Sequence, residues 1–317
     1  MNQKITVERP TSIFSGIGAL FISFLLLQVG NGLQRILLPL RAEAEGISAG
    51  MMGLVMAFHF AGYLFGARFI IGAINTVGHI RVFAALASTA SIAVLINAVF
   101  VVPASWMVVY FISGICNAGI FVVLESWLNA KASNEVRGKV LGTYMMIMMG
   151  GTAAGFLLVN LGDVSGFKMF IFSSVLISSA VIPVALTSTS APPLQEEERM
   201  KIGELFNIIP AAVVGLFLAS FVQASTSSMS TVFGTEAGMS TGKVALFTAV
   251  GFVGAVVLQF PLGALSDRFP RRSVIIGATV AAGLLALLGA LTPTTGSWII
   301  VIHLCFGAFV FPLYGLF

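Results

Sequence analysis

Several polar side chains occur at helical spacing inside stretches of the sequence that are otherwise apolar. Gln28, Asn31 and Arg35 stand at positions i, i+3 and i+7, so in a helix they would share one face. Asn117 and Glu125 are eight residues apart and would share a face of a second helix. Amide and guanidinium groups can bind the polar atoms of a small solute, and a carboxylate among apolar residues can take up and release a proton. The two stripes are therefore candidates for a solute site and a proton carrier.

Helices that cross a lipid bilayer must position these side chains. Of the 317 residues, 58% are hydrophobic and 9% are charged, whereas about 25% of the residues in a soluble domain are charged. The segments 82–124 and 273–317 contain no Asp, Glu, Lys or Arg, and each is about twice as long as the roughly 20 residues that one span requires. Each therefore holds two spans. The sequence predicts an all-α polytopic membrane protein with ten spans, at 11–34, 46–72, 80–102, 105–129, 138–161, 168–188, 205–233, 241–265, 273–292 and 297–317.

Lys and Arg are distributed unevenly over the two ends of these spans. Cytoplasmic loops of membrane proteins carry an excess of basic residues. With the N-terminus in the cytoplasm, 12 of the 16 basic residues fall on the inner side, and the outer side holds Arg35, Arg41, Lys168 and Lys243. This distribution predicts a cytoplasmic N-terminus. It also explains the net charge of +4 without a nucleic-acid partner.

The spacing of the predicted spans repeats along the chain. Spans that begin at 11, 46, 80 and 105 have counterparts that begin at 205, 241, 273 and 297, at offsets of 192 to 195 residues. The polar segment between the two series contains three consecutive glutamates and has the composition of a solvated linker. We therefore divide the chain into a six-helix half at 1–188, a cytoplasmic linker at 189–204 and an incomplete second half of four helices at 205–317.

A charged motif follows the eighth span. The segment 263–272 reads Gly-Ala-Leu-Ser-Asp-Arg-Phe-Pro-Arg-Arg and resembles the signature that major facilitator transporters carry between helices 8 and 9, with Pro270 in place of the usual glycine. The pair Arg137-Gly138 resembles a second recurrent element of that superfamily. The resemblance implies a cytoplasmic gate, for which anchoring of basic residues at the membrane surface is the alternative. The gate residues would be Gly263, Asp267, Arg268, Arg271, Arg272 and Arg137.

The same resemblance implies a helical bundle of two parallel six-helix repeats. By the repeat offset, the partners of the fifth and sixth spans would begin near 331 and 361, beyond the last residue, Phe317. The sequence thus resembles a twelve-helix transporter whose last two helices are missing, and we expect a truncated or interrupted reading frame. A natural ten-helix protein is the alternative.

The chain also departs from the superfamily pattern. Thr76 stands where the first-half copy of the charged motif carries Asp, and Tyr110 stands where the fourth helix often carries an Arg that is tied to proton coupling. Proton coupling through the usual Arg is therefore not expected.

The segments 121–129 and 38–43 resemble the YcaD-like branch of the superfamily.

The superfamily layout places helices 1, 4, 7 and 10 around a central cavity. It brings Gln223 and the stretch Ser225–Ser230 of the seventh span, and His303 of the tenth, to the solute site. For the amides and histidines the alternative is hydrogen bonding between helices. Arg35 is predicted near the outer surface, and the alternative for this residue is that its side chain extends towards the lipid headgroups. Glu125 is about one turn from the cytoplasmic end, and the alternative for its carboxylate is an ion pair with a basic residue.

The sequence therefore predicts a secondary active transporter of the bacterial inner membrane that moves a small organic solute by alternating access, with Glu125 as the candidate for proton coupling. The expected partners are the solute, the lipid bilayer and protons, and the chain is expected to be monomeric. No nucleotide-binding loop, catalytic triad or metal-ligand cluster occurs in the sequence, so neither an enzyme nor a cofactor is expected. The alternative is an inactive truncated remnant or a non-transporting membrane interaction protein.

Overall fold

The structure is a computed structural model that describes residues 10–133, 136–164, 166–187, 202–294 and 296–316. These residues form helices joined by short turns, and no strand occurs within the described ranges. In chain order the helices are α1 (Pro10–Ala44), α2 (Ala49–Val77), α3 (His79–Val99), α4 (Pro103–Lys131), α5 (Arg137–Leu158), α6 (Lys168–Ser179), α7 (Val181–Ala185), α8 (Ile202–Ile208), α9 (Pro210–Glu236), α10 (Thr241–Arg268), α11 (Arg271–Leu291), α12 (Trp298–Val310) and α13 (Leu313–Leu316).

Nine helical segments in the described part of the chain are long and apolar enough to cross a membrane. They correspond to the first nine predicted spans, which confirms the all-α polytopic fold. The tenth predicted span, 297–317, is interrupted, because α12 ends at Val310 and a separate turn, α13, follows it. Pro312 explains the interruption, since it has no N–H group to continue the helix and disfavours helical geometry at Phe311.

Helix α1 extends further outward than the sequence predicts. The span was expected to end at residue 34, but the helix continues through Pro39 to Ala44. Arg35 therefore lies inside the helix, about 13 Å from its outer end, and the expected position at the outer surface is wrong. Because Pro39 has no N–H group, the carbonyl oxygen of Arg35 also lacks its helical hydrogen bond.

Proline also interrupts the sixth predicted span. Pro183 cannot donate to the carbonyl of Ser179, and the helix divides there into α6 and α7. The predicted linker, 189–204, lies outside the described residues except for its last three positions, which begin α8. The division of the chain into halves at 1–188 and 205–317 stays a prediction.

Helices α2 and α4 approach so closely that only glycine fits between them. A Cβ atom on Gly114 of α4 would meet the carbonyl oxygen of His59 and would lie 2.8 Å from the backbone nitrogen of Tyr63. Gly62 of α2 lies against the carbonyl of Phe111 in the same way. These backbone contacts fix the position of α2 along α4, and so they fix the side chains that the two helices present to the centre of the bundle.

The buried core differs between the outer and cytoplasmic ends of the bundle. At the outer end, one apolar cluster joins the early and late parts of the chain and includes Leu33 of α1 and Phe252 of α10. At the cytoplasmic end, the early part has its own cluster around Phe24, and the late part has another that contains Leu262 and Val274. Among the described residues, the two parts therefore share a buried core on the outer side and none on the cytoplasmic side.

Candidate functional site

A cavity lies between α1, α2, α4 and α9, in the outer half of these helices, and it reaches the midpoint of α4 at Asn117. Its volume is about 70 Å³, so it is narrower than the roughly 300–1,000 Å³ of most small-molecule sites. Solute sites of secondary transporters lie near the bilayer midplane, and the cavity approaches that depth at Asn31 and Asn117. The residues that line the cavity are Asn31, Gln34, Arg35, Met56, His59, Phe60, Tyr110, Ser113, Asn117, Ser227 and Ser228.

Two of the amides predicted from separate parts of the sequence meet at this cavity. The side-chain nitrogen of Asn31 donates to the side-chain oxygen of Asn117 at 3.1 Å, and both residues are buried. This bond joins α1 to α4 at the midpoint of α4. Each amide keeps polar atoms beyond those used in the bond, so the pair can hold the two helices together and still bind a solute.

Arg35 brings a positive charge to the same cavity. It is the one Lys, Arg, Asp or Glu among the described residues that line the cavity, and none of the carboxylates in the described ranges pairs with it. Among the described residues, the hydroxyl groups of Tyr110 and Ser113 and the amide nitrogen of Gln34 have no hydrogen-bond partner, although all three residues are at least nine-tenths buried. Buried polar groups normally have partners, so these groups are positioned to bind a ligand.

Gln28 does not reach the cavity, although it lies on the same face of α1 as Asn31. Its side-chain nitrogen donates to the hydroxyl of Thr152 at 3.3 Å and is 3.4 Å from the carbonyl oxygen of Met148, both on α5. A Cβ atom on Gly151 would lie only 2.9 Å from Gln28. The close packing of α5 therefore covers this position, and the structure gives Gln28 an interhelical role instead of the predicted place in the solute site.

The other two predicted solute residues also lie away from the cavity lining. His303 stacks on Phe247 with ring centroids 4.2 Å apart and fills the space above Gly251, between α12 and α10. Gln223 lies one helical turn from Ser227, which lines the cavity and whose hydroxyl donates to the Gln223 carbonyl at 2.8 Å. Gln223 is half-buried, beside the cavity on its cytoplasmic side.

Glu125 belongs to a separate polar contact nearer the cytoplasmic end of α4. The buried hydroxyl of Tyr144 donates to the Glu125 carboxylate at 3.0 Å. The ring of Tyr144 in turn stacks on Phe24 of α1, with centroids 4.6 Å apart. Phe24 precedes Asn31 by seven residues and lies on the same face of α1. A contiguous chain of contacts thus links Glu125 to the helix face that carries the cavity residues.

The charged side chains of the predicted gate are exposed at the cytoplasmic end. None of the described residues forms an ion pair with Asp267, and the Arg271 side chain donates instead to the carbonyl oxygen of Leu316 at 2.8 Å. A Cβ atom on Gly263 would meet nothing within 4 Å, so none of the described residues packs closely against this glycine. The exposed charged residues of the motif are Asp267, Arg268, Arg271, Arg272 and Arg137.

Sequence reasoning did not assign Tyr110 and Ser113 to the solute site. Together with Asn117 they stand at i, i+3 and i+7 in α4, the same spacing that drew attention to Gln28, Asn31 and Arg35. This spacing is the signal in the sequence that could have placed Tyr110 and Ser113 beside Asn117 at the cavity. Tyr110 is considered from the sequence only as a replacement for an arginine, and so its place in the cavity lining is not predicted.

A polar cavity inside a bundle of apolar membrane-spanning helices is the arrangement in which secondary transporters hold their solutes. The chain belongs to the Major Facilitator Superfamily, whose family model matches residues 20–317. It lies in the YcaD-like branch. The uncharacterized MFS-type transporter YcaD of Escherichia fergusonii is 26% identical over 258 residues, which cover 81% of this chain and 68% of the relative. The protein is therefore a multi-pass inner-membrane transporter and not an enzyme.

Solved transporter structures share this fold at low sequence identity. A mutant of the nucleoside transporter NupG is similar with a TM-score of 0.73 and 12% identity, over 94% of this chain and 80% of that chain. A D-xylose-proton symporter is similar with a TM-score of 0.68 and 16% identity, over 94% of this chain and 79% of that chain. These similarities confirm the helical architecture.

Proposed function

We propose that this protein is a secondary active transporter that carries a small organic solute across the inner membrane by alternating access, as a monomer. The observation that carries the proposal is the cavity between α1, α2, α4 and α9, to which α1 contributes Asn31 and Arg35 and α4 contributes Tyr110, Ser113 and Asn117. These residues provide amide, guanidinium and hydroxyl groups at one place, where a solute could be held between the two membrane surfaces.

The distribution of the buried core supports a cytoplasm-facing state of the transport cycle. Apolar side chains of both parts of the chain share one cluster at the outer end, which includes Leu33 and Phe252, and form separate clusters at the cytoplasmic end. In the opposite state the cytoplasmic ends would meet. The exposed Asp267 and Arg137 would then come together and close the inner side, as the resemblance of their motifs implies.

We further propose that Glu125 couples solute movement to protons. Its carboxylate accepts a hydrogen bond from Tyr144, whose ring rests on Phe24 of α1. Protonation would weaken the attraction between the Tyr144 hydroxyl and the carboxylate. The change would reach α1 through the ring stack, seven residues from Asn31. The D-xylose-proton symporter that shares the fold offers a precedent for proton coupling in this architecture.

Accessibility of the cavity from the two membrane surfaces tests alternating access without knowledge of the solute. Ser227→Cys would be introduced after replacement of Cys116 and Cys305 by Ala, and a membrane-impermeant maleimide would be applied to right-side-out and inside-out vesicles. We expect labelling from both sides. Arg272→Cys and Glu45→Cys are the controls, and we expect each to be labelled from one side only, the cytoplasmic and the outer side respectively.

Labelling of Ser227→Cys from only one side, or from neither, would contradict alternating access and favour an inactive or non-transporting protein. Glu125→Gln in the same background tests coupling. We expect the ratio of the two labelling rates to depend on pH in the parent protein and to become independent of pH in the variant. An unchanged pH dependence would remove Glu125 from the coupling role.

A further inference from the structure

We infer that the transported solute is an organic anion that presents a carboxylate group to Arg35. The inference rests on the proposed transport function and specifies the substrate class of the same cavity. Its starting point is the charge of the cavity lining, which includes the guanidinium of Arg35 and no carboxylate among the described residues. The site is therefore positive before the solute enters.

The nearest acidic side chains along the lining helices are too distant to neutralise Arg35. Glu43 follows Arg35 by eight residues in α1, which corresponds to about 12 Å along the helix, and it lines a different cavity at the outer end. Glu125 follows Asn117 by eight residues in α4, in the cytoplasmic direction, and accepts the hydrogen bond from Tyr144. A guanidinium withdrawn from water without a counterion is unfavourable, so an incoming anion gains a strong interaction there.

The uncharged groups around Arg35 are suited to the same ligand. The hydroxyls of Tyr110 and Ser113 and the amide nitrogen of Gln34 are buried donors without a partner in the described part of the chain. The side-chain oxygen of Asn117 is already engaged by Asn31. The lining therefore offers three free donors in addition to the Arg35 guanidinium, and a carboxylate provides two oxygens with about four acceptor sites.

The shape of the groups favours a carboxylate with an organic body. A guanidinium binds a carboxylate through two parallel N–H···O bonds, which neither an amide nor an amine can reproduce. Met56 and Phe60 of α2 contribute apolar surface to the lining, and the rings of His59 and Tyr110 lie edge to face with centroids 5.8 Å apart. These groups would contact the hydrocarbon part of the solute.

Thermal unfolding of the purified protein with matched compounds tests the inference. The probes are benzoate, benzamide and benzylammonium, together with the corresponding triplets built on hexanoate and lactate, and inorganic phosphate. Each triplet holds size nearly constant and varies the charge. We expect at least one carboxylate to raise the unfolding temperature more than its amide and its amine do. We expect Arg35→Gln to weaken the apparent affinity about 10- to 100-fold and Arg35→Lys to weaken it less.

Arg41→Gln is the matched control, because Arg41 lies on the same helix but pairs with Glu45 at 2.7 Å outside the cavity. We expect it to keep the wild-type response to carboxylates. The inference is overturned if amides or amines stabilise the wild type as much as carboxylates do, or if inorganic phosphate does so. It is equally overturned if Arg35→Gln responds to carboxylates like the wild type.

The outcome separates the substrate class from the transport function. Labelling of Ser227→Cys from both sides does not depend on the charge of the solute. Two-sided labelling without a preference for carboxylates would reject the organic anion and keep the transporter. A preference for carboxylates that depends on Arg35, together with one-sided labelling, would keep the anion site and reject alternating access.

Discussion

The contact between α2 and α4 allows a quantitative prediction that links packing to the cavity. Replacement of Gly114 by Ala places a Cβ atom 2.8 Å from the backbone nitrogen of Tyr63, and still closer to the carbonyl oxygen of His59. Both neighbours are backbone atoms of α2, so no flexible side chain can move aside. Ordinary contact between a carbon and a heavy atom is about 3.5 Å or more, and the helices would have to separate by at least about 0.7 Å.

The expected cost of this separation follows from overpacking. Extra atoms in a close-packed interior cost about 1–3 kcal/mol, while Ala gains up to about 1 kcal/mol over Gly in helix propensity. We therefore expect Gly114→Ala to lower the thermal unfolding temperature in detergent by several degrees. Because His59 and Tyr110 face the cavity from these two helices, we also expect weaker carboxylate binding.

Gly72→Ala is the matched control. Gly72 lies in α2, and a Cβ atom added there would meet nothing within 4 Å. We expect this substitution to leave the unfolding temperature unchanged or slightly raised, with binding unaffected. If Gly114→Ala and Gly72→Ala unfold at the same temperature, the close contact between α2 and α4 is refuted.

Four further substitutions are informative in proteoliposomes or by thermal unfolding. Glu125→Gln should abolish uptake driven by a proton gradient and keep solute exchange in the absence of a gradient. Tyr144→Phe should reduce the gradient-driven uptake only in part. Equal rates of driven uptake in the wild type and in both variants would contradict the coupling role of Glu125. His303→Phe should keep uptake within about twofold because the ring can still stack on Phe247; loss of uptake would return His303 to the solute site. Asn117→Ala should destabilise the protein by about 1–3 kcal/mol, since it leaves the Asn31 donor without its partner; an unchanged unfolding temperature would contradict this.

The positions of the first nine spans could be predicted because charged residues are costly in the hydrocarbon. Segments free of charge marked those spans to within a few residues, except where a charge lies inside a helix. Arg35 is such a case. The segment free of charge ends just before Arg35, but Ile36, Leu37 and Leu38 beyond this residue are buried and continue the helix. A charged residue inside a span can thus line a cavity. The length of the charge-free segment does not distinguish such a residue from one that ends the span.

The side chains that reach the cavity could be predicted only in part. Helical spacing placed Gln28, Asn31 and Arg35 on one face, but it contains no information on how tightly a neighbouring helix covers each turn. Helix α5 packs against Gln28 at Gly151, and the His303 ring packs against Gly251, where there is no side chain. Such close approaches depend on pairs of helices that are distant in sequence, and they appear only in the folded bundle.

The most direct test of transport is uptake of a radiolabelled carboxylate into proteoliposomes. The compound would be whichever carboxylate of the thermal-unfolding experiment, benzoate, hexanoate or lactate, raises the unfolding temperature of the wild type the most. We predict accumulation above that in protein-free liposomes for the wild type and for Arg41→Gln, and its loss in Arg35→Gln. Uptake into wild-type proteoliposomes that equals uptake into protein-free liposomes would contradict the proposal that this cavity carries an organic anion across the membrane.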